Sequence, residues 1–258
     1  MRITTWNVDK GLRPNQVPIL EQAEPDIVAL QEVSLSHHAF MRAALGHLGM
    51  AFMEHTLSDE SRRSSGVLLA SRWPLERIDP PGPALPYMER ALGALIEAPA
   101  GTIEVLTVHV PPGMTKVNGR ANPGAKIETF QGLAEYYRRP STHGQILCGD
   151  FNTPEEEYES GTVAFFGAKH QAQVEREFHH VVTSEALRDA FRSLHGYGVH
   201  ANSWLNKARR QTSSPRRFDH VFASPSFRPV EAEYAPEEKV WGAGLSDHLP
   251  LTVTLELR

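Results

Sequence analysis

Polar and ionisable side chains close one apolar run after another along this chain. Asn7 and Asp9 follow RITTW, Glu32 follows DIVALQ and His109 stands in LTVHV. Asp150 and Asn152 follow QILCG, Asp219 lies in RFDHVFAS, and Asp247-His248 precede LPLTVTLEL. Each has a plain structural explanation when taken singly. Asn7 and Asp9 can shape a turn before Gly11, Glu32 can be an exposed strand end, and Asp150-Phe151-Asn152 or Ser246-Asp247-His248 can be polar turns. Those explanations leave the recurrence unaccounted for, and strand ends are where an α/β scaffold places its site.

The same set suits a phosphate ester. A hard divalent cation such as Mg²⁺, or Mn²⁺ in its place, takes oxygen ligands at about 2.0–2.1 Å, one or two carboxylates with water and phosphate completing the shell. Glu32 is the first candidate ligand, helped by Asp9 or Asn7. Hydrolysis also needs a water nucleophile, a base to deprotonate it, and donors for the charge that builds on the phosphoryl oxygens. Asp150 can be that base, Asn152 can orient water or phosphate, and His248 can donate to the phosphate. A carboxylate that fixes the tautomer of His248 and favours its protonated form would strengthen it, and Asp219 is the candidate.

These side chains need a frame. RITTW, DIVALQ, SGVLLAS, ALGALIEA, TIEVLTVHV, QILCG, FDHVFAS and LPLTVTLEL are short apolar runs bounded by turn residues, and each predicts a strand. In the last, Leu251, Val253 and Leu255 alternate with Thr252, Thr254 and Glu256, the pattern of a half-buried strand. Lys126 to Arg139 carries Ile127, Phe130, Leu133, Ala134 and Tyr137 at helical spacing and is stopped by Pro140. Leu35 to Leu48 and Val174 to Leu194 also read as helices, the second with a break expected in its middle, at His179-His180 and the β-branched Val181-Val182-Thr183. Thr153 and Pro154 predict the N-cap and first position of another helix, with Glu155 to Glu159 as carboxylates favoured by its dipole. DPPGPALP is a loop, and no long linker or repeat interrupts the chain, so residues 1–258 are expected to form one α/β domain of sheets covered by helices.

Six ordered motifs, TTWNVDKGLR, PDIVALQEV, VHVPPG, LCGDFNTP, RFDHVFAS and SDHLPLTV, resemble the endonuclease/exonuclease/phosphatase superfamily from about Arg2 to Leu255. The resemblance is closest to its exonuclease III and abasic-site endonuclease branch. It implies the DNase I-like fold, a four-layer α/β sandwich with two central, mostly antiparallel sheets, and Mg²⁺- or Mn²⁺-dependent phosphoester hydrolysis by direct attack of water. Carried onto this chain, it makes Asn7 a site organiser, Asp9 a metal-shell ligand and Glu32 the principal metal ligand. It makes Asp150 the water-activating base and Asn152 its positioning partner. Asp219 orients His248, the phosphate-binding histidine, and Asp247 is a second metal or leaving-group contact.

Two departures bear on the substrate. Where abasic-site enzymes usually carry tyrosine, with asparagine three positions later, this chain has His109 and Pro112. A histidine there resembles the DNase I, lipid phosphodiesterase and phosphatase branches, and it can still donate to a phosphate oxygen or leaving group. Ser34 stands where the nuclease branch often has lysine, removing one cation. Against this, NKARRQTSSPRR gathers Lys207, Arg209, Arg210, Arg216 and Arg217 just before Asp219, with Trp204 upstream. Arginines on such a loop can hold a phosphate backbone and Trp204 can stack on a base; a solvated basic loop with a core tryptophan is the plain alternative. Lys116, Arg120 and Lys126 suggest a second basic strip.

Bulk properties narrow the classes. No apolar run approaches the roughly 20 residues of a membrane span, and one cysteine, Cys148, excludes an internal disulfide framework and a multi-cysteine zinc site. Met1 leads directly into RITTW without a basic and then apolar leader, so a cytoplasmic monomer is expected. A net charge of −5 gives no global attraction to nucleic acid, so a polyanion must be held by a local basic patch or bound cations. The expected activity is a metal-dependent nuclease on DNA, endo- or exonuclease, in repair; a phosphatase or phosphodiesterase for a small-molecule or lipid phosphoester is the alternative. His37-His38, His179-His180, His220, Trp6 and Trp73 read as packing or surface residues.

Overall fold

Alternation of period two builds the centre of the molecule, and a 3.6-residue period builds its two covers. The computed structural model describes residues 1–58, 65–78, 85–114, 116–117, 120–121, 123–154, 168–183, 187–205 and 216–258. In chain order the elements begin with β1 (Arg2–Asn7), α1 (Val17–Ala23), β2 (Ile27–Val33), α2 (His38–His47), β3 (Phe52–His55) and β4 (Gly66–Ser71). Next come β5 (Leu75–Ile78), β6 (Ala91–Ala98), β7 (Gly101–His109), β8 (Lys116–Val117), β9 (Arg120–Ala121), α3 (Gly124–Tyr137) and β10 (Gly144–Asp150). The series closes with α4 (Ala168–Thr183), β11 (Arg188–Asp189), α5 (Ala190–His195), β12 (Asp219–Ala223), β13 (Phe227–Tyr234), α6 (Glu237–Val240) and β14 (Leu251–Leu257).

Among the described residues the strands form two six-stranded sheets, ordered β13-β14-β1-β2-β4-β3 and β11-β12-β10-β7-β6-β5, with β8 and β9 as a separate ribbon. Each large sheet has one parallel pair at its centre, β1 with β2 and β10 with β7, and is otherwise antiparallel. The expected mostly antiparallel sandwich is therefore present. The inner faces meet in a layer that includes Ile3, Ile27, Leu69, Val105, Ile146, Val221 and Val253. The outer face of the first sheet packs Trp6, Leu30 and Leu68 against Leu20 of α1, Met41 and Leu45 of α2 and Val240 of α6. The outer face of the second packs Leu106, Leu147 and Phe222 against Phe130 and Leu133 of α3 and Val174 and Phe178 of α4. Each aliphatic side chain so buried contributes roughly 1.5–3 kcal/mol, which is what holds the four layers in one stack.

The expected helix from Val174 to Leu194 is two helices, and the break comes later than its composition suggests. α4 runs through His179-His180 because Val181 and Val182 are buried beside Phe178 in the second outer core. The β-branched cost is a few tenths of a kcal/mol, small against that burial. The chain then passes into β11 and α5, which Asp189 caps by accepting the Arg192 amide at 2.9 Å. The Glu155 to Glu159 run lies outside the described residues. Among the described residues no helix is long and apolar enough to cross a membrane.

Candidate active site

Three neighbouring strands end in a row of chemistry. Asp150 of β10 is registered with His109 of β7 on one side and with Asp219 of β12 on the other. Residues two and four positions along each strand from the rim, Val105, Ile146, Cys148, Val221 and Ala223 among them, lie in the layer between the sheets. Alternation therefore turns all three polar side chains to that same inner face, at its rim. Gly149 makes the row possible. Its φ is +136°, and a Cβ there would stand 2.0 Å from the Val108 carbonyl, so only glycine lets β10 lie this close to β7 just before Asp150.

The opposite sheet supplies Asn7 and Glu32. Asn7 ends β1 on the inner face, two residues beyond Thr5. Simple alternation would send Glu32 outward, because Gln31 already faces inward toward Thr5 and Thr107. A β-bulge between Gln31 and Val33, with φ +56° at Glu32, re-aims the carboxylate into the site. The Asn7 amide nitrogen then donates to Glu32 Oε1 at 3.1 Å and to Asp150 Oδ2 at 3.0 Å, tying one sheet to the other. Asp9 and Asn152 also hold left-handed backbones, φ +51° and +48°. Backbone strain of this kind in non-glycine residues concentrates at functional sites.

His248 arrives on the turn before β14. Ser246 Oγ donates to the Asn7 carbonyl at 2.8 Å and accepts the His248 amide at 3.0 Å, while Trp6 Nε1 holds the His248 carbonyl at 2.9 Å. Trp6 is thus a core residue, as expected, that also fixes the site. His248 Nδ1 lies 2.8 Å from Asp219 Oδ2, and its Nε2 lies 3.7 Å from Asp150 Oδ2. On the other flank His109 Nε2 is 3.6 Å from Asp150 Oδ2 and 3.8 Å from Glu32 Oε1. Both separations exceed a direct hydrogen bond, and one oxygen of a water or a phosphate could touch all three groups. Asn152 donates its backbone N–H to Asp150 Oδ1 at 2.8 Å and its side-chain amide to Asp150 Oδ2 at 3.2 Å and the Val110 carbonyl at 3.0 Å.

The model of the Endonuclease/Exonuclease/phosphatase family matches residues 4–248. The chain belongs to that family. Among its relatives, exodeoxyribonuclease III of Haemophilus influenzae is 22% identical over 281 residues, covering 97% of this chain and 98% of its own. An AP endonuclease from Archaeoglobus fulgidus superposes with a TM-score of 0.77 at 20% identity, over 100% of both chains. A 3′ phosphatase, NExo, from Neisseria, solved bound to a product DNA hairpin, gives a TM-score of 0.74 at 22% identity over 99% of each chain.

In this member of the Endonuclease/Exonuclease/phosphatase family the two histidines are shifted in opposite directions. Burial drives the His248 imidazolium pKa down, but Asp219 foremost, with Asp150 and Asp247, outweighs it and raises the value to about 10. Burial also lowers His109; Arg90 and His248 add to the effect, Asp150 opposes it, and the result is about 4. At neutral pH His248 is a cation and His109 is neutral. Burial raises Glu32 above the ordinary carboxylate range, the Asn7 hydrogen bond opposes this, and Asp150 and Asp247 push it further up.

Carboxylates so crowded suit a hard cation, and Glu32, with Asp150 and Asp247 near enough to raise its pKa, could hold one. Asn7 fits this set less well than its sequence suggests. The Asp9 N–H donates to Asn7 Oδ1 at 3.1 Å, which turns the Asn7 NH₂, a group with no lone pair for a metal, toward Glu32 and Asp150. Its Oδ1 keeps a second lone pair, and its NH₂ joins Glu32 to Asp150. Asp150, Asp219 and His248 also gather their ligand atoms within 4.8 Å of one another, a second set that could hold an ion.

The basic loop divides. Arg217 does not reach solvent: it is 3% exposed and pairs with Asp189 at 2.7 Å, because the acidic cap of α5 needs a buried counter-charge. Arg216 is half-buried and bridges through its backbone to Trp204, which also bridges to His248. The Trp204 ring stacks on Phe218 at 5.0 Å beside the site. Lys207, Arg209 and Arg210 lie outside the described residues. Lys126, expected on an outer basic strip, is 2% exposed. Arg90, which the sequence reading overlooked, stands 3.4 Å from His109 Nδ1; it sits in a short turn before β6 with no motif around it.

Proposed function

We propose that this chain is a divalent-metal-dependent phosphodiesterase that hydrolyses DNA by direct attack of an activated water. The observation that carries the proposal is the convergence on Asp150 of His248, His109 and the Asn7 amide, with Glu32 across from them. Glu32, with Asp9 and Asp247, would hold a divalent cation such as Mg²⁺ or Mn²⁺, which would supply Lewis-acid polarisation of a phosphoryl oxygen. Asp150 takes the proton from the attacking water, and Asn152, with both its N–H groups bonded, leaves Oδ1 to orient that water. His248 keeps Nε2–H directed at a non-bridging oxygen because Nδ1 is committed to Asp219. His109, with the Arg90 guanidinium 3.4 Å from Nδ1 and 3.5 Å from Nε2, turns Nε2 toward Asp150 and Glu32 and serves as a neutral donor to the leaving oxygen.

The names of the relatives, an exodeoxyribonuclease, an AP endonuclease and a DNA-bound 3′ phosphatase, support DNA as substrate. Trp204, its ring stacked on Phe218 and its backbone bridged to His248 and Arg216, is the support from this chain. The second reading, a small-molecule or lipid phosphoester, is favoured by His109, the −5 net charge and the withdrawal of Arg217 and Lys126 from the surface. One panel separates them: abasic-site duplex, plain duplex, single-stranded DNA, RNA, and a lipid or sugar phosphodiester, each with Mg²⁺, Mn²⁺ or a chelator. Cleavage of DNA that requires the cation is expected. Activity that survives chelation overturns the metal-dependent mechanism, and cleavage confined to the non-nucleic substrates replaces DNA with the second reading.

A further inference from the structure

Lys126 is a lysine in the wrong place for solubility. It shares the inner stripe of α3 with Phe130, Leu133 and Tyr137, all buried, and is itself 2% exposed. A buried ammonium is costly unless its hydrogen bonds are made inside the protein, and packing alone would be better served by methionine or leucine. Its Nζ donates to the Asn152 carbonyl at 2.6 Å and to Thr153 Oγ1 at 3.0 Å. Both partners belong to the turn that follows Asp150.

That turn is gripped from two sides. In front, Asn152 spends its backbone and side-chain N–H groups on Asp150 and Val110. Behind, Lys126 takes the Asn152 carbonyl, and His220 Nε2 lies 3.0 Å from the Thr153 carbonyl, itself steadied by Asp189 at 3.3 Å from Nδ1. Asn152 sits at φ +48°, a conformation that a non-glycine residue keeps only when its surroundings hold it there. The Lys126 amine reaches the far side of this residue from the reacting groups.

We infer that Lys126 is a positioning residue, which acts on the reaction through Asn152: its amine holds the Asn152 carbonyl and the Thr153 hydroxyl from the buried side and so keeps the Asn152 amide aimed at Asp150. The inference rests on the hydrolytic role proposed above for Asp150 and Asn152, and the test is arranged so that each can fail separately. Lys126→Met removes the donor and keeps the length. In hydrogen exchange on the full chain, the Asn152 amide, bonded to Asp150 Oδ1, should lose protection by about tenfold or more while core amides of β7 and β10 keep theirs. On the duplex substrate with Mg²⁺ or Mn²⁺, kcat should fall by about tenfold or more and KM should move less than about twofold. In an Asn152→Ala background the same substitution should cost less than about twofold, because the residue it acts through is already gone. Unchanged Asn152 protection, or a loss that repeats in full on top of Asn152→Ala, overturns the inference. An unaltered chain inactive on every phosphoester overturns the proposed function, and the exchange measurement still decides the inference. Should Lys126→Met not fold, Lys126→Gln, which retains a shorter donor, is expected to show intermediate protection and kcat; wild-type values in both overturn it.

Discussion

Replacing Asp219 by Asn should move the pH dependence of the enzyme rather than simply disable it. His248 is buried, and burial alone lowers its pKa; the contact at 2.8 Å with Asp219 is the foremost effect that carries it to about 10. At that value a histidine is almost wholly protonated at pH 7.5. Asp219→Asn keeps the shape and removes the charge, leaving Asp150 and Asp247 to offset burial, so the pKa should return to the ordinary value of about 6.5 or below. At pH 7.5 no more than roughly one molecule in eleven would then carry the imidazolium, and kcat/KM should fall by at least about tenfold for that reason alone. The assay is kcat/KM of both proteins on the same duplex at saturating Mg²⁺ from about pH 5.5 to 9. The variant-to-wild-type ratio should rise steadily as pH falls. A ratio that stays flat across the range would refute the claim that Asp219 acts by keeping His248 charged.

Asp150→Asn and His248→Ala should each lower turnover by about 10²-fold or more, in line with general acid–base contributions, measured under single-turnover conditions; near-normal rates in both would remove their assigned roles. Gly149→Ala should cost about 3 kcal/mol or more in urea unfolding, since its Cβ meets the Val108 carbonyl and its φ of +136° does not suit an L side chain; a loss under about 1 kcal/mol would mean that β7 and β10 can part without harm. His109 and His220 have folded values near 4, below the unfolded value of about 6.5, so the stability they confer is present above about 6.5 and is lost as pH falls toward 4. Urea midpoints at pH 7.5 and 5 should show that decline, and His220→Asn should reduce it; equal midpoints would count against neutral burial of both rings. Arg217→Met should leave the salt dependence of DNA binding unchanged while altering the melting temperature, because this arginine pairs with Asp189 inside the fold.

The strands legible in the sequence are those with a neighbour on each side, and the ones that escaped sit mainly at edges. β3, β5 and β13 lie at the borders of the two sheets, where one flank is open to solvent and the apolar signal is diluted. FMEH and LERI are too short and polar to stand out, and β13 carries Pro229, which only an edge or a bulge tolerates. In the site, alternation placed Asp219, Asp150 and His109 on one face, and the motifs singled out His248. Alternation fails at Glu32, because a bulge cannot be read from IVALQEV. Lys126 was readable in principle: with Phe130, Leu133 and Tyr137 it follows the spacing of one helical face, and its charge drew attention to the wrong side. Arg217 carried no such signal, since its partner Asp189 lies 28 residues away.

Glu32 belongs to one sheet and Asp150 to the other, and the Asn7 amide spans them with bonds of 3.1 and 3.0 Å. A slip of one strand residue is about 3.3 Å, enough to part them. A chain in which only the first sheet has formed carries Glu32 and His248 without Asp150, one with only the second carries Asp150 without them, and neither set alone is expected to cut a phosphodiester. For a hydrolase whose proposed substrate is the genome, this arrangement makes folding its own safety catch: the blade exists only once the sandwich has closed.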